Sequence, residues 1–138
     1  MNEFTFEKIE IGQEAIFERS FTEKEIFSFS QLTGDLNPMH VDPKYTKQTE
    51  YGGVIVHGML VASLFSTLVG MYLPGKYCVY LSQDIKFRRP VKPNEKVKVR
   101  GRVKNKIDSL RILEIETEIL NEFGEVAING EAMVKVLK

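Results

Sequence analysis

The chain has a single cysteine, Cys78, among 138 residues. A lone thiol closes no internal disulfide and builds no cysteine metal cluster, so Cys78 reads as a bland buried thiol in a reducing compartment. Excess charge of either sign is missing as well. Lysine plus arginine number 19, aspartate plus glutamate number 19, and the formal net charge is zero. A nucleic-acid protein would normally carry a basic excess. The longest apolar stretch, residues 58–73, is interrupted by Ser63, Ser66 and Thr67. It falls short of the roughly 18 to 20 apolar residues that a membrane span needs. The N-terminus mixes acids with aromatics and lacks the basic start and apolar core of a signal peptide. Glycine-rich phosphate loops, metal-ligand clusters, repeats and linkers are all absent from the sequence. The expectation is a cytoplasmic protein with no cofactor, no metal, and neither nucleic acid nor membrane as partner. Its length fits one domain over residues 1–138.

Periodicity and caps supply the elements. Residues 13–20 read as a short strand. Thr22-Glu23-Lys24-Glu25 is a capping box with Thr22 as N-cap, and Phe21 and Ile26 form the hydrophobic staple around it. The helix starting at Glu23 carries Ile26, Phe27, Phe29 and Leu32 as its apolar set and ends at Gly34. A second helix, residues 58–71, is apolar nearly all round, which predicts burial on most sides. After Pro74-Gly75 the period changes to two. Residues 77–89, 95–105, 109–121 and 125–137 read as four long strands with short connections, the pattern of antiparallel neighbours. An apolar helix beside a long antiparallel sheet is an α+β arrangement with the sheet curled around the helix.

The chemistry concentrates in residues 29–40, Phe-Ser-Gln-Leu-Thr-Gly-Asp-Leu-Asn-Pro-Met-His. Asp35 and His40 lie five residues apart on a stretch that cannot be regular helix. Gly34 loosens the backbone before the acid, and Pro38 removes a donor and disfavours helix at Asn37. A turn there lets the two side chains converge, which a straight helix or strand at this spacing would not. A convergent carboxylate and imidazole can hold a water and move its protons near neutral pH. On the residues alone, a helix-capping Asp35 and a surface-loop His40 remain the alternative.

The wider segment resembles the hydratase motif of the MaoC-like (R)-specific enoyl-CoA hydratases. Phe29, Leu32, Thr33, Gly34, Asp35, Asn37, Pro38 and His40 fit its pattern, while Met39 replaces a branched aliphatic residue and Thr46 a smaller one. The resemblance continues through Ile55-Val56-His57-Gly58-Met59-Leu60 and Ala62-Ser63-Leu64-Phe65-Ser66, then through Leu73-Pro74-Gly75, residues 82–87 and Pro90-Val91. It implies a hot-dog fold, a homodimer, and reversible syn hydration of a trans-2-enoyl thioester of coenzyme A to the (R)-3-hydroxyacyl product. It implies Asp35 and His40 as the catalytic pair, with the backbone N–H of Gly58 as donor to the thioester oxygen.

The remaining candidates keep two readings each. Asn37 either orients the loop or the water, or is a turn residue. Ser66 matches a serine that faces the family's active site, but on a buried helix it could equally bond a main-chain carbonyl. Leu68 and Val69 lie near positions that shape the family's acyl pocket, and are core residues otherwise. His57 reads as a helix-start residue bonded to nearby backbone. Lys86, Arg88 and Arg89 either meet the phosphates of coenzyme A or are solvated at a strand end. Two further functions compete with the hydratase: a (R)-3-hydroxyacyl dehydratase served by acyl carrier protein, and an acyl-thioester-binding hot-dog module or thioesterase. An intact Asp35, Asn37 and His40 argue against the last, because binding alone needs no such pair.

Overall fold

The structure is a computed structural model describing residues 1–138. Strand β1 spans Glu14–Arg19, and helix α1 follows at Glu23–Thr33. Thr22 caps α1, its hydroxyl accepting from the Glu25 N–H at 3.2 Å, a contact worth about 1 kcal/mol. The capping box is only half made, because the Glu25 carboxylate turns to Arg19 at 3.5 Å. Phe21 and Ile26 of the staple are buried. The helix ends at Gly34, whose φ of 80° is left-handed and suits glycine. Phe27 and Leu32 break the expected apolar face, being 54% and 84% exposed.

Two short helices follow, α2 at Pro38–Val41 and α3 at Pro43–Thr46. The second long helix is segmented. It comprises α4 (Gly58–Ala62), α5 (Leu64–Thr67) and a closing π-helical turn over Leu68–Tyr72. Ser63 marks the break, its hydroxyl donating to the Leu60 carbonyl at 2.6 Å in competition with the helical pattern. Leu64, Phe65, Leu68 and Val69 are buried, yet Met59 and Met71 stand 59% and 44% exposed, so the helix is not enclosed on every side. No helix is long and apolar enough to cross a membrane.

The sheet consists of β1, β2 (Cys78–Gln83), β3 (Lys86–Phe87), β4 (Val97–Ile107), β5 (Ile112–Leu120) and β6 (Val126–Val136). Its order is β1-β4-β5-β6-β2, all antiparallel, with β3 also paired to β6. In β4, Val97, Val99, Gly101 and Val103 are buried, while Lys98, Arg100, Arg102 and Lys104 face solvent. Gly101 is where the helix rides closest: a Cβ there would lie 2.6 Å from Leu68 Cδ2. The strand expected over residues 77–89 is split, because Asp84 leaves the ladder and lies across Gly130. A Cβ at Gly130 would sit 1.8 Å from the Asp84 carbonyl oxygen, so only glycine leaves room for the break. A short helical turn at Asp108–Leu110 replaces the expected loop over residues 106–108. An antiparallel sheet packed on a segmented apolar helix is the hot-dog arrangement.

Candidate active site

The segment linking α1 to α4 brings the sequence motif against the start of the buried helix. Gly34 releases the chain from α1, and Asp35 is fixed in an Asx turn, its Oδ1 accepting from the Asn37 N–H at 3.2 Å. Asn37 then caps α2, its Oδ1 accepting from the Met39 N–H at 3.0 Å, with Pro38 at the first helical position. Asn37 is therefore committed to shaping the loop. One turn later, α2 presents His40 half-buried, while Asp35 stays exposed.

The hydrogen bond from His40 Nδ1 to the Ile55 carbonyl, 2.8 Å long, settles the tautomer. A carbonyl only accepts, so Nδ1 carries a proton, and it is Nε2 that presents a lone pair whenever the ring is neutral. Potential ligand atoms of Asp35, His40 and His57 all lie within 4.8 Å of one another. Asp35 and His40 thus converge as their turn requires.

His57 joins them. It is 2% exposed, and its ring stacks on that of His40 with centroids 3.9 Å apart and planes at 25°. Its Nε2 lies 2.9 Å from the hydroxyl of Ser30, which is fully buried on α1. Phe29 meets the same ring edge-on at 4.8 Å. Instead of bonding nearby backbone as expected, His57 bonds a side chain 27 positions away. Its Nδ1 has no hydrogen-bond partner of good geometry. Burial holds the His57 imidazole below the usual histidine range and the neighbouring His40 acts the same way, opposed by the main-chain carbonyl and charge of Asp35.

Gly58 follows directly, the first residue of α4, so its N–H has no carbonyl within the helix to bond. It also permits a close approach, since a Cβ there would lie 2.7 Å from Cε1 of Phe87. Both His40 and Gly58 line one cleft of about 440 Å³, closed by Phe87, Arg88, Arg89, Pro90 and Val91 and by Ile128. A volume of that order holds a small-molecule ligand. Arg88 bonds Asn129 at 3.1 Å and Arg89 pairs with Glu125 at 3.1 Å, both at the cleft, whereas Lys86 lines a different, wholly polar concavity with Arg100 and Glu118. Ser66 is exposed on α5 and makes no part of this cleft. Leu68 and Val69 are 0% and 1% exposed and belong to the two halves of the core, so the structure places neither at the cleft wall.

Sequence reasoning passed over Ser30 altogether. The signal was present: Ser30 stands four residues after buried Ile26 on the same helical face, where a polar side chain needs a partner.

Known proteins resemble this chain closely. A family profile described as "MaoC like domain" matches residues 6–122. An (R)-specific enoyl-CoA hydratase of Aeromonas caviae is 38% identical over 130 residues, covering 94% of this chain and 97% of that protein. The solved (R)-hydratase from A. caviae, described as involved in PHA biosynthesis, superposes with a TM-score of 0.91 at 39% identity over 94% of this chain and 98% of the other. R-hydratase PhaJ1 from Pseudomonas aeruginosa, unliganded, gives a TM-score of 0.94 at 32% identity, over 99% of this chain and 87% of the other.

Proposed function

Since the chain belongs to the MaoC-like dehydratase family, we propose that it is an (R)-specific enoyl-CoA hydratase, adding water reversibly to a trans-2-enoyl thioester. The observation that carries this reading is the convergence of the Asp35 and His40 side chains beside a cleft that His40 and Gly58 line. The Asp35 carboxylate and the unprotonated His40 Nε2 are both acceptors. A water between them gives each one hydrogen and turns a lone pair outward. When that lone pair attacks C3 of the enoyl group, one O–H bond breaks and the proton passes to the pair. A proton returns from the pair to C2 on the same face, so the addition is syn and the site ends as it began. Negative charge develops meanwhile on the thioester oxygen, where the free N–H of Gly58 donates to it. Asn37 serves by holding the loop on which Asp35 and His40 sit.

Purified protein is expected to hydrate crotonyl-CoA with loss of enoyl absorbance and formation of the (R)-3-hydroxy product, without added metal or cofactor. Release of free coenzyme A instead, or activity abolished by a chelator, would reject this reading. Activity confined to a thioester of acyl carrier protein would favour the dehydratase alternative.

Hot-dog enzymes are commonly dimeric, and the two edges of this sheet suggest how a second copy would attach. The β1 edge strand carries exposed Glu14, Glu18 and Arg19, charges that discourage strand pairing. The β1 strand also exposes one apolar residue, Ile16 at 49%, whereas the β2 edge strand exposes two, Val79 and Leu81 at 43% and 48%, with no charged residue among its six; exposed Met59 and Met71 add to the uncovered apolar area. The chain therefore forms a homodimer in this reading, with the apolar β2 edge at the interface. Sedimentation at micromolar concentration should give twice the 15.8 kDa chain mass; a stable, active monomer would contradict it.

A further inference from the structure

We propose that His57, locked by Ser30, is a positioning residue: a buried flat wall that fixes the plane of the His40 imidazole and so aims its Nε2 at the water shared with Asp35. The inference rests on the hydratase reading above and adds to it two residues outside the catalytic pair.

The His40 ring is held by its Cβ and by one hydrogen bond. The contact from His40 Nδ1 to the Ile55 carbonyl at 2.8 Å restrains the ring at its edge, and nothing in that contact supports its face. The face of His57, with centroids 3.9 Å apart and planes at 25°, supplies that support. His57 is itself held on two sides, by the 2.9 Å bond from its Nε2 to Ser30 and by the edge of Phe29 at 4.8 Å. Ser30 and His57 are 0% and 2% exposed, so each is a polar group that burial would penalise without the other. Apolar side chains of similar volume would fill the same space without that requirement. What apolar aliphatic residues would not supply is a rigid planar surface whose rotation is pinned. Burial also favours a neutral His57 ring.

The test is steady-state hydration of crotonyl-CoA by the wild type, His57→Ala, His57→Phe and Ser30→Ala, each with its melting temperature. His57→Ala is expected to lower kcat by about tenfold to a hundredfold, the scale of a small misplacement of a catalytic group, with KM within about threefold of wild type. His57→Phe restores a flat ring and should recover most of that loss, while Ser30→Ala should cost only a few-fold. Folded His57→Ala with wild-type kcat overturns the proposal, as does a change confined to KM, or His57→Phe no better than His57→Ala at equal melting temperature. Should His57→Ala fail to fold, Ser30→Ala and His57→Phe both keep the core filled, and full kcat in Ser30→Ala overturns the proposal by itself. A wild type that does not hydrate the substrate removes the hydratase reading and this inference together. An active wild type with unaffected variants removes the inference alone.

Discussion

Asp35→Asn and His40→Gln each lower kcat by about 10² to 10⁴, the usual contribution of a positioned general acid or base. Stability should change little in either variant, because Asp35 is exposed, His40 is half-buried, and both replacements are close in size. The double variant is the sharper measurement. The two side chains act on one water, so removing either already removes the function they share, and the double should be scarcely slower than the worse single. Independent groups would instead multiply their losses. The check is kcat for both singles and the double, with melting temperatures alongside. Folded single variants that keep most of their turnover would take these residues out of the mechanism.

Gly58→Ala is expected to reduce kcat/KM by about a hundredfold, through geometry and not through loss of a donor, since the N–H survives. The new methyl would lie 2.7 and 2.8 Å from Cε1 and Cδ1 of Phe87. That ring is 55% exposed and can swing aside, so the stability loss should stay within about 1 to 3 kcal/mol. The methyl and the displaced ring together then occupy the approach to the N–H. Adding Phe87→Ala separates the two effects. The double variant should regain the melting temperature, because the clash is gone, but not the activity, because the methyl still stands beside the donor. Wild-type kcat/KM in Gly58→Ala would show that the thioester does not come close to this residue.

Local signals in the chain were strong wherever one stretch determines its own conformation. Thr22 as cap, Gly34 as terminator, and the alternation of Val97, Val99, Gly101 and Val103 with exposed cations all depend on neighbours within a few residues. The convergence of Asp35 and His40 belongs to the same class, since a proline and two Asx caps within the loop produce it. The misreadings involve partners remote in sequence. The break after β2 needs Gly130 to admit the Asp84 main chain, and no pattern within residues 77–89 records that. The exposure of Met59 and Met71 shows the same limit, because hydropathy gives the helix its apolar character but not the side that meets the sheet. The pairing of Ser30 with His57 is the instructive case. Each residue alone looks ordinary, and only the packing of α1 against the start of α4 makes them one unit.

The cleft is assembled from two separate lengths of chain. His40, Ile55 and Gly58 come from the loop and helix starts between residues 30 and 58, with Asp35 and His57 gathered around His40. The opposite wall is built by Phe87 of β3, the segment Arg88–Val91 that follows it, and Ile128 of β6. In the proposed reading, the residues that handle protons and those that face them across the cleft are therefore far apart in sequence. On that reading, enlarging or trimming Phe87 or Ile128 would reshape the cleft from the far side while the loop that carries Asp35 and His40 keeps its geometry, so what the cleft admits is open to change by few substitutions.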